Sequence, residues 1–224
     1  MAKVLVDVED AIEYLNALLE LDSTEPGSGE EDHTVWISLL NVAVNLWENE
    51  EGVLWKELFA KLADAATGDK TTAASDFSYS CPTDFRFPCS AFVWIGSGTN
   101  KTAYRVIKQE ELQLYENNSD NWCYFLMDGS PTLEFNPNCT LDASKTISYN
   151  YYKNATAVTT GASTFEMSDP MFAVYYALSE LTKEEGNQGS LSLASQKMEA
   201  MKTRNEMPSW FQEDSTYVDV GFGN

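Results

Sequence analysis

The 224-residue sequence has little positive charge: 14 Lys and Arg stand against 35 Asp and Glu, for a formal net charge of −21. A surface of that sign repels nucleic-acid phosphates and anionic lipid, which excludes tight binding to either. It leaves DNA free to pass nearby without sticking. Histidine is nearly missing, with His33 the one imidazole. A Ser-His-Asp or Cys-His arrangement would have to use it. It lies between an acidic loop and a helix start, where a solvated or capping role is expected instead. The four cysteines, Cys81, Cys89, Cys123 and Cys139, contain no C-x-x-C pair. A zinc site would need all four at irregular spacings, so isolated, mostly buried thiols are expected, with no metal and no cofactor. Long apolar runs are also missing, and nothing approaches the roughly 18 consecutive residues a membrane helix needs. No membrane partner is expected. The opening MAKVLVDVEDAIEYLNALLELD lacks the basic start and cleavage site of a signal peptide. That predicts a chain made and used in a reducing cytosol, where the sequons at Asn100, Asn117, Asn138 and Asn154 are chance matches.

Enough apolar material is present for a real core, since 43% of residues are hydrophobic and 12% aromatic. The order reads as helices, then strands, then helices. Val8, Ile12, Leu15, Leu18 and Leu19 recur at helical spacing over residues 6–21. After the loop STEPGSGEED, a second helix is predicted in HTVWISLLNVAVNLWENE. Val35, Trp36, Leu39, Leu40, Ala43, Leu46 and Trp47 fall on one broad face, with Asn41, Asn45 and Glu48 opposite. A third helical pattern, VLWKELFAKLADAA, has Leu54, Leu58 and Leu62 in register.

From Thr67 the aromatic content rises and the period shortens toward two. SYSCPTDFRFP, SAFVWIG, TAYRVI, NWCYFLM, PTLEFN and TISYNYYKNA read as short strands, with one short helix in KQEELQLYENN. Pro82, Pro88, Pro131 and Pro137 suit edges or turns. Helix returns in TFEMSDPMFAVYYALSELTKEEG, where Ser168 or Asp169 caps and Pro170 takes the first turn. Phe172, Tyr175, Tyr176, Leu178 and Leu181 form its apolar side. A last helix runs over about 190–205 on Leu191, Ala194, Met198 and Met201.

The stretch FVWIGSGTNKTAYRVI raises the question of a phosphate-binding loop. Lys101-Thr102 follows Asn100 where such a loop has glycine, and AYRVI then alternates like a strand, which supplies no helix N-terminus. A hairpin turn over Gly96–Asn100 is expected. The acidic runs Glu30–Asp32 and Glu48–Glu51 match no calcium loop and read as solvated helix ends. No nucleophile, base and orienting group can be assembled, so no catalytic residue is assigned and the chain is not expected to be an enzyme.

The nonperiodic terminal stretch SWFQEDSTYVDVGFGN carries Trp210, Phe211, Tyr217, Val218 and Phe222. Two readings stand: it packs back on its own helices, or it is a docking arm whose aromatic anchors grip another subunit. The aromatic blocks 79–94 and 122–152 pose the same choice between core and contact surface.

The order of elements, with WISLLNVAVNLWEN early, SYSCPTDFRFP entering the strands and TFEMSDPMFAVYYALSEL opening the last helical pair, resembles tailed-phage head-to-tail adaptor (connector) proteins. The tail tubular A-like adaptors of short-tailed phages are part of that likeness. The resemblance implies an α+β fold: a helical bundle built from N- and C-terminal helices, a mostly antiparallel β insertion and an extended C-terminal arm. The divisions expected are 1–70 for N-terminal helices, 71–165 for the β-rich insertion, 166–207 for C-terminal helices and 208–224 for the arm. It also implies a structural virion protein of the neck or tail, present in the host cytoplasm during assembly. Such a protein forms a ring, commonly a dodecamer, between the portal protein and a tail nozzle or tail tube protein, with DNA passing through the conduit. Trp210, Phe211, Tyr217, Val218 and Phe222 become portal-docking residues, and the tail-side contacts fall in the strands between about 77 and 160. A tail or baseplate module that recognises a host glycan or protein is the alternative.

Overall fold

In the computed structural model, residues 7–19, 26–62, 70–73, 76–183 and 188–205 are described. The chain is mixed α+β, with helices at both ends of the sequence and a curled sheet between them. It divides into two units: Met1–Glu57 with Thr156–Asn224, and Leu58–Ala155.

In the helical unit, α1 spans Val8–Leu18 and α2 spans Glu31–Glu48. The last two helices are α4 at Met171–Leu181 and α5 at Gln188–Asn205, with a short α3 at Leu112–Tyr115 in the other unit. Helix α1 starts where Asp7 accepts from the Asp10 N–H at 3.0 Å. Two of its other free N–H groups, on Val8 and Glu9, are taken by the carbonyls of Ser163 and Gly161. Helix α4 begins after Pro170, which takes the cap position in place of the expected first turn, and one carboxylate oxygen of Asp169 before it accepts from the Met171 N–H at 3.3 Å. The other Asp169 oxygen meets Lys197 at 3.1 Å and Arg204 at 3.4 Å, which ties the start of α4 to α5. Helix α4 packs against α1, α2 and α5. It does so through Phe172, Ala173, Val174, Ala177 and Leu178, while Tyr175, Tyr176 and Leu181 are only half-buried.

Helix α2 departs from its expected facing. Trp36, Leu40, Ala43, Val44 and Trp47 are buried, and so are His33 and Glu48. Val35 and Leu46, expected on the core side, are exposed together with Val42. The buried stripe is thus rotated by about one residue, because Trp47 stacks on Trp55 with ring centroids 5.3 Å apart and the Trp55 indole donates to the Trp47 carbonyl. His33 is consequently not a solvated residue; its Nε2 lies 3.8 Å from a Glu9 carboxylate oxygen. Asn205 pins the next segment, accepting from the Lys56 N–H at 2.9 Å and donating to the Leu54 carbonyl at 2.8 Å.

The third helix expected from VLWKELFAKLADAA is a 3-10 turn at Lys56–Leu58 followed by strand β1, Phe59–Leu62. Helical spacing of leucines loses here to cross-strand pairing: β1 lies along β9, and Phe59 packs edge-on to Tyr152. Residues 63–66 of that pattern lie outside the described residues.

The sheet unit continues with β2 (Lys70–Thr71), β3 (Ser78–Ser80), β4 (Phe85–Pro88), β5 (Phe92–Ser97) and β6 (Asn100–Val106). After a 3-10 turn and α3 come β7 (Trp122–Leu126), β8 (Thr132–Phe135) and β9 (Thr146–Lys153). Strand β9 is the hub. Tyr151 and Tyr152 pair with both β1 and β4, and Ile147 pairs with both β2 and β5, so strands lie on both of its edges. The remaining order is β5-β6-β7-β8-β3, antiparallel except for β6 with β7. One face of this curled sheet buries Val93, Ile95, Tyr104, Cys123, Phe125, Leu133, Phe135, Ile147, Tyr149 and Tyr151 as a single core.

Candidate functional site

The segment 208–224, with Trp210, Phe211, Tyr217, Val218 and Phe222, lies outside the described residues. The glycine-rich stretch is a hairpin, as expected: Ser97 pairs with Asn100 across Gly98-Thr99. Gly96 has φ +120°, and a Cβ there would sit 2.2 Å from the Asn100 carbonyl oxygen, so the turn needs glycine. Lys101 and Thr102 belong to β6, with no helix beginning beside them.

Tyr79, Tyr104, Cys123, Cys139, Tyr149 and Tyr151 of the sheet core hold their protons more tightly than usual. Burial pushes the Cys123 thiol and the Tyr149 phenol well above their ordinary ranges. Burial, followed by the charges of Cys139 and Asp142 and other neighbours, pushes Tyr104 up to about 12. Burial and the Asp84 carboxylate push Tyr151 up to about 12 as well, and its hydroxyl donates to Asp84 at 3.1 Å. Cys89 is exposed and lies outside that core, and the partial burial of its sulfur still pushes the thiol up to about 11. A thiolate nucleophile at neutral pH is therefore not favoured at Cys89 or Cys123. Among the described residues no group of three His, Cys, Asp or Glu side chains is placed to hold a metal ion.

The feature that stands out is the other face of the sheet. Side chains alternate along a strand and cross-strand partners share a face, so the sequence neighbours of core residues lie together on the outer side. Phe92 and Trp94 on β5 face outward there, beside Lys101, Ala103 and Arg105 on β6 and Ser148, Asn150 and Tyr152 on β9. Phe59 and Lys61 on β1 continue the row. Phe59, Phe92 and Trp94 are 48%, 43% and 41% exposed, large fractions for aromatic side chains. A cleft of about 290 Å³ opens on this unit, lined by Lys61, Ser90, Trp94, Lys101, Ser148, Tyr149 and Asn150. No carboxylate lines it.

Charge is divided unevenly between the units. Leu58–Ala155 holds 11 acidic and 8 basic residues, a net of −3, whereas the rest of the chain holds 24 and 6, a net of −18. In the helical unit Lys183, Lys197, Lys202 and Arg204 each face a carboxylate. Among the described residues Lys61 and Lys101 face none.

The aromatic blocks therefore divide between core and surface within one strand: Val93 and Ile95 inward, Phe92 and Trp94 outward. The signal was present in FVWIGS, where apolar residues occupy both parities of a period-two pattern. Pairing of Lys61 with Asn150, which sets it beside Trp94, joins residues too distant in sequence for periodicity to connect.

No curated protein sequence matches the chain. Residues 10–218 match the family described as SU10 adaptor protein, nearly the whole length and well into the aromatic terminal segment. The chain belongs to the SU10 adaptor protein family and is accordingly a structural adaptor-type protein of the phage neck or tail.

Proposed function

We propose that this protein is the head-to-tail adaptor that joins the portal protein to the tail nozzle or tail tube protein. It forms a homo-oligomeric ring, a dodecamer, whose lumen is part of the DNA ejection conduit. The segment from about Ser209 to Asn224 is the arm that grips the portal, anchored by Trp210, Phe211, Tyr217, Val218 and Phe222. The sheet unit faces the tail, and the protein is an adaptor of the tail tubular A-like kind. The role asks for no catalysis and no cofactor.

The family match through residue 218 carries this reading, because it includes most of the proposed arm. The concentration of negative charge in the helical unit supports the conduit: acidic walls repel phosphates, so DNA slides without a specific binding site. The exposed Phe92 and Trp94 also suit a receptor-binding tail module, which remains the second reading.

The test is the mass of the full-length chain and of a version ending at Pro208, each with and without portal protein. The expected result is a portal-bound ring from the full chain and loss of portal binding on truncation. If both versions stay monomeric beside portal and the full chain adheres to host cells, the receptor reading takes over.

A further inference from the structure

The cleft on the outer sheet face is lined by cations and by no anion. Two ammonium groups, Lys61 and Lys101, line it without any carboxylate, in a chain with 35 acidic residues. Four cations of the helical unit, Lys183, Lys197, Lys202 and Arg204, each meet a carboxylate, whereas Lys61, Lys101 and Arg105 of this sheet face meet none among the described residues. Leaving two lysines unpaired beside an exposed Trp is a local reversal of sign. Arg105 extends that reversal along β6, opposite Phe92. A cationic floor with aromatic walls favours an anionic segment that also brings an apolar side chain. Aromatics and Arg together mark the centre of protein–protein contacts.

We infer that this cleft docks an acidic segment of the tail-side protein. Carboxylates of that segment meet Lys61 and Lys101, and an apolar side chain lies against Trp94. Ser90, Ser148 and Asn150 supply polar partners along the same cleft. The inference rests on the adaptor reading for the identity of the partner, and on the cleft alone for its chemistry. It also gives two contacts opposite responses to salt. Ring closure between like-charged subunits is helped by screening, while docking of an acidic segment on lysines is weakened by it.

The experiment uses the full chain and a fluorescent peptide built from Glu, Asp, Gly and one Phe, with a control carrying Gln and Asn in place of the acids. The acidic peptide should bind and the control should not. The K61Q/K101Q variant should weaken binding by about tenfold or more, as loss of two charge contacts implies. W94A should weaken it as well, and added salt should weaken it progressively. Near-ultraviolet circular dichroism and the thermal midpoint check that both variants are folded, and K61Q/K101Q should still assemble on portal.

Equal binding of the two peptides, or no effect of K61Q/K101Q, would overturn the inference. So would preferential binding of a sulfated oligosaccharide or a single-stranded oligonucleotide. Loss of self-association in K61Q/K101Q would assign the face to a second copy of this chain instead. Acidic-peptide binding by a wild-type chain that ignores portal would remove the tail-side identity of the partner along with the adaptor reading.

Discussion

Tyr104, Tyr149, Tyr151 and Cys123 share one core, and burial is the first reason each holds its proton more tightly than usual. The ordinary tyrosine value is 10.0, so the unfolded chain ionises there while the folded chain does not. A raised pKa in the folded state means that the stabilisation is complete below pH 10. It is lost as pH climbs from 10 through about 12, where Tyr104 and Tyr151 titrate. The urea midpoint of the sheet unit should therefore be flat from neutral to about pH 8, begin to fall near 9.0 where the unfolded thiols ionise, and fall more steeply above pH 10. Tyr104→Phe should make that fall shallower; an alkaline slope identical to wild type would show that Tyr104 does not contribute. Gly96 gives a second residue-scale outcome. Alanine there must accept a φ of +120° and a Cβ against the Asn100 carbonyl, so Gly96→Ala should cost about 2 kcal/mol or more by denaturant unfolding. A similar change at Gly129, with open space around it, should cost far less.

Helix α2 shows what a sequence can and cannot reveal about an element. Its existence and extent are legible from apolar spacing alone, yet the facing is off because Trp55, eight residues beyond Trp47, decides which side of α2 is covered. Leu40→Ala should cost about 2–5 kcal/mol, since the side chain is fully buried. Val35→Gln, on the stripe that the spacing assigned to the core, should change monomer stability by less than about 0.5 kcal/mol. Thermal unfolding of the two variants side by side separates the observed facing from the expected one; equal losses would favour the original assignment. Strand β1 departs from the expected helix for a related reason. Leu54, Leu58 and Leu62 have helical spacing, but the partner that makes residues 59–62 a strand is Tyr149–Tyr152, nearly ninety positions away. Hairpins such as β5–β6 are legible because their partners are local and the turn carries glycine. The outer cleft was illegible because Lys61 reaches the β5–β6 hairpin of Trp94 and Lys101 only through β9, which pairs with both β1 and β5.

At the scale of the whole molecule, the unequal division of charge sets the terms for assembly. A dodecamer would gather about −250 formal charges, most of them on the helical units. In the proposed ring, repulsion among those units would oppose closure, so apolar contacts and the portal as template would have to supply the attraction. The exposed Val35, Val42 and Leu46 of α2 are available to contribute to it. Screening shortens the reach of the repulsion to about 8 Å at physiological ionic strength and to about 3 Å at molar salt, while apolar contacts survive or strengthen. Ring formation on portal should therefore rise with salt, as read by sedimentation or native mass, and should rise less steeply in a chain whose Glu30, Glu31 and Asp32 are replaced by Gln and Asn. All three are exposed at the start of α2, so their loss lowers the repulsion without touching the core. A ring equally stable across salt concentrations would mean that subunit acidity does not oppose closure, leaving the helical charge to act on the DNA alone.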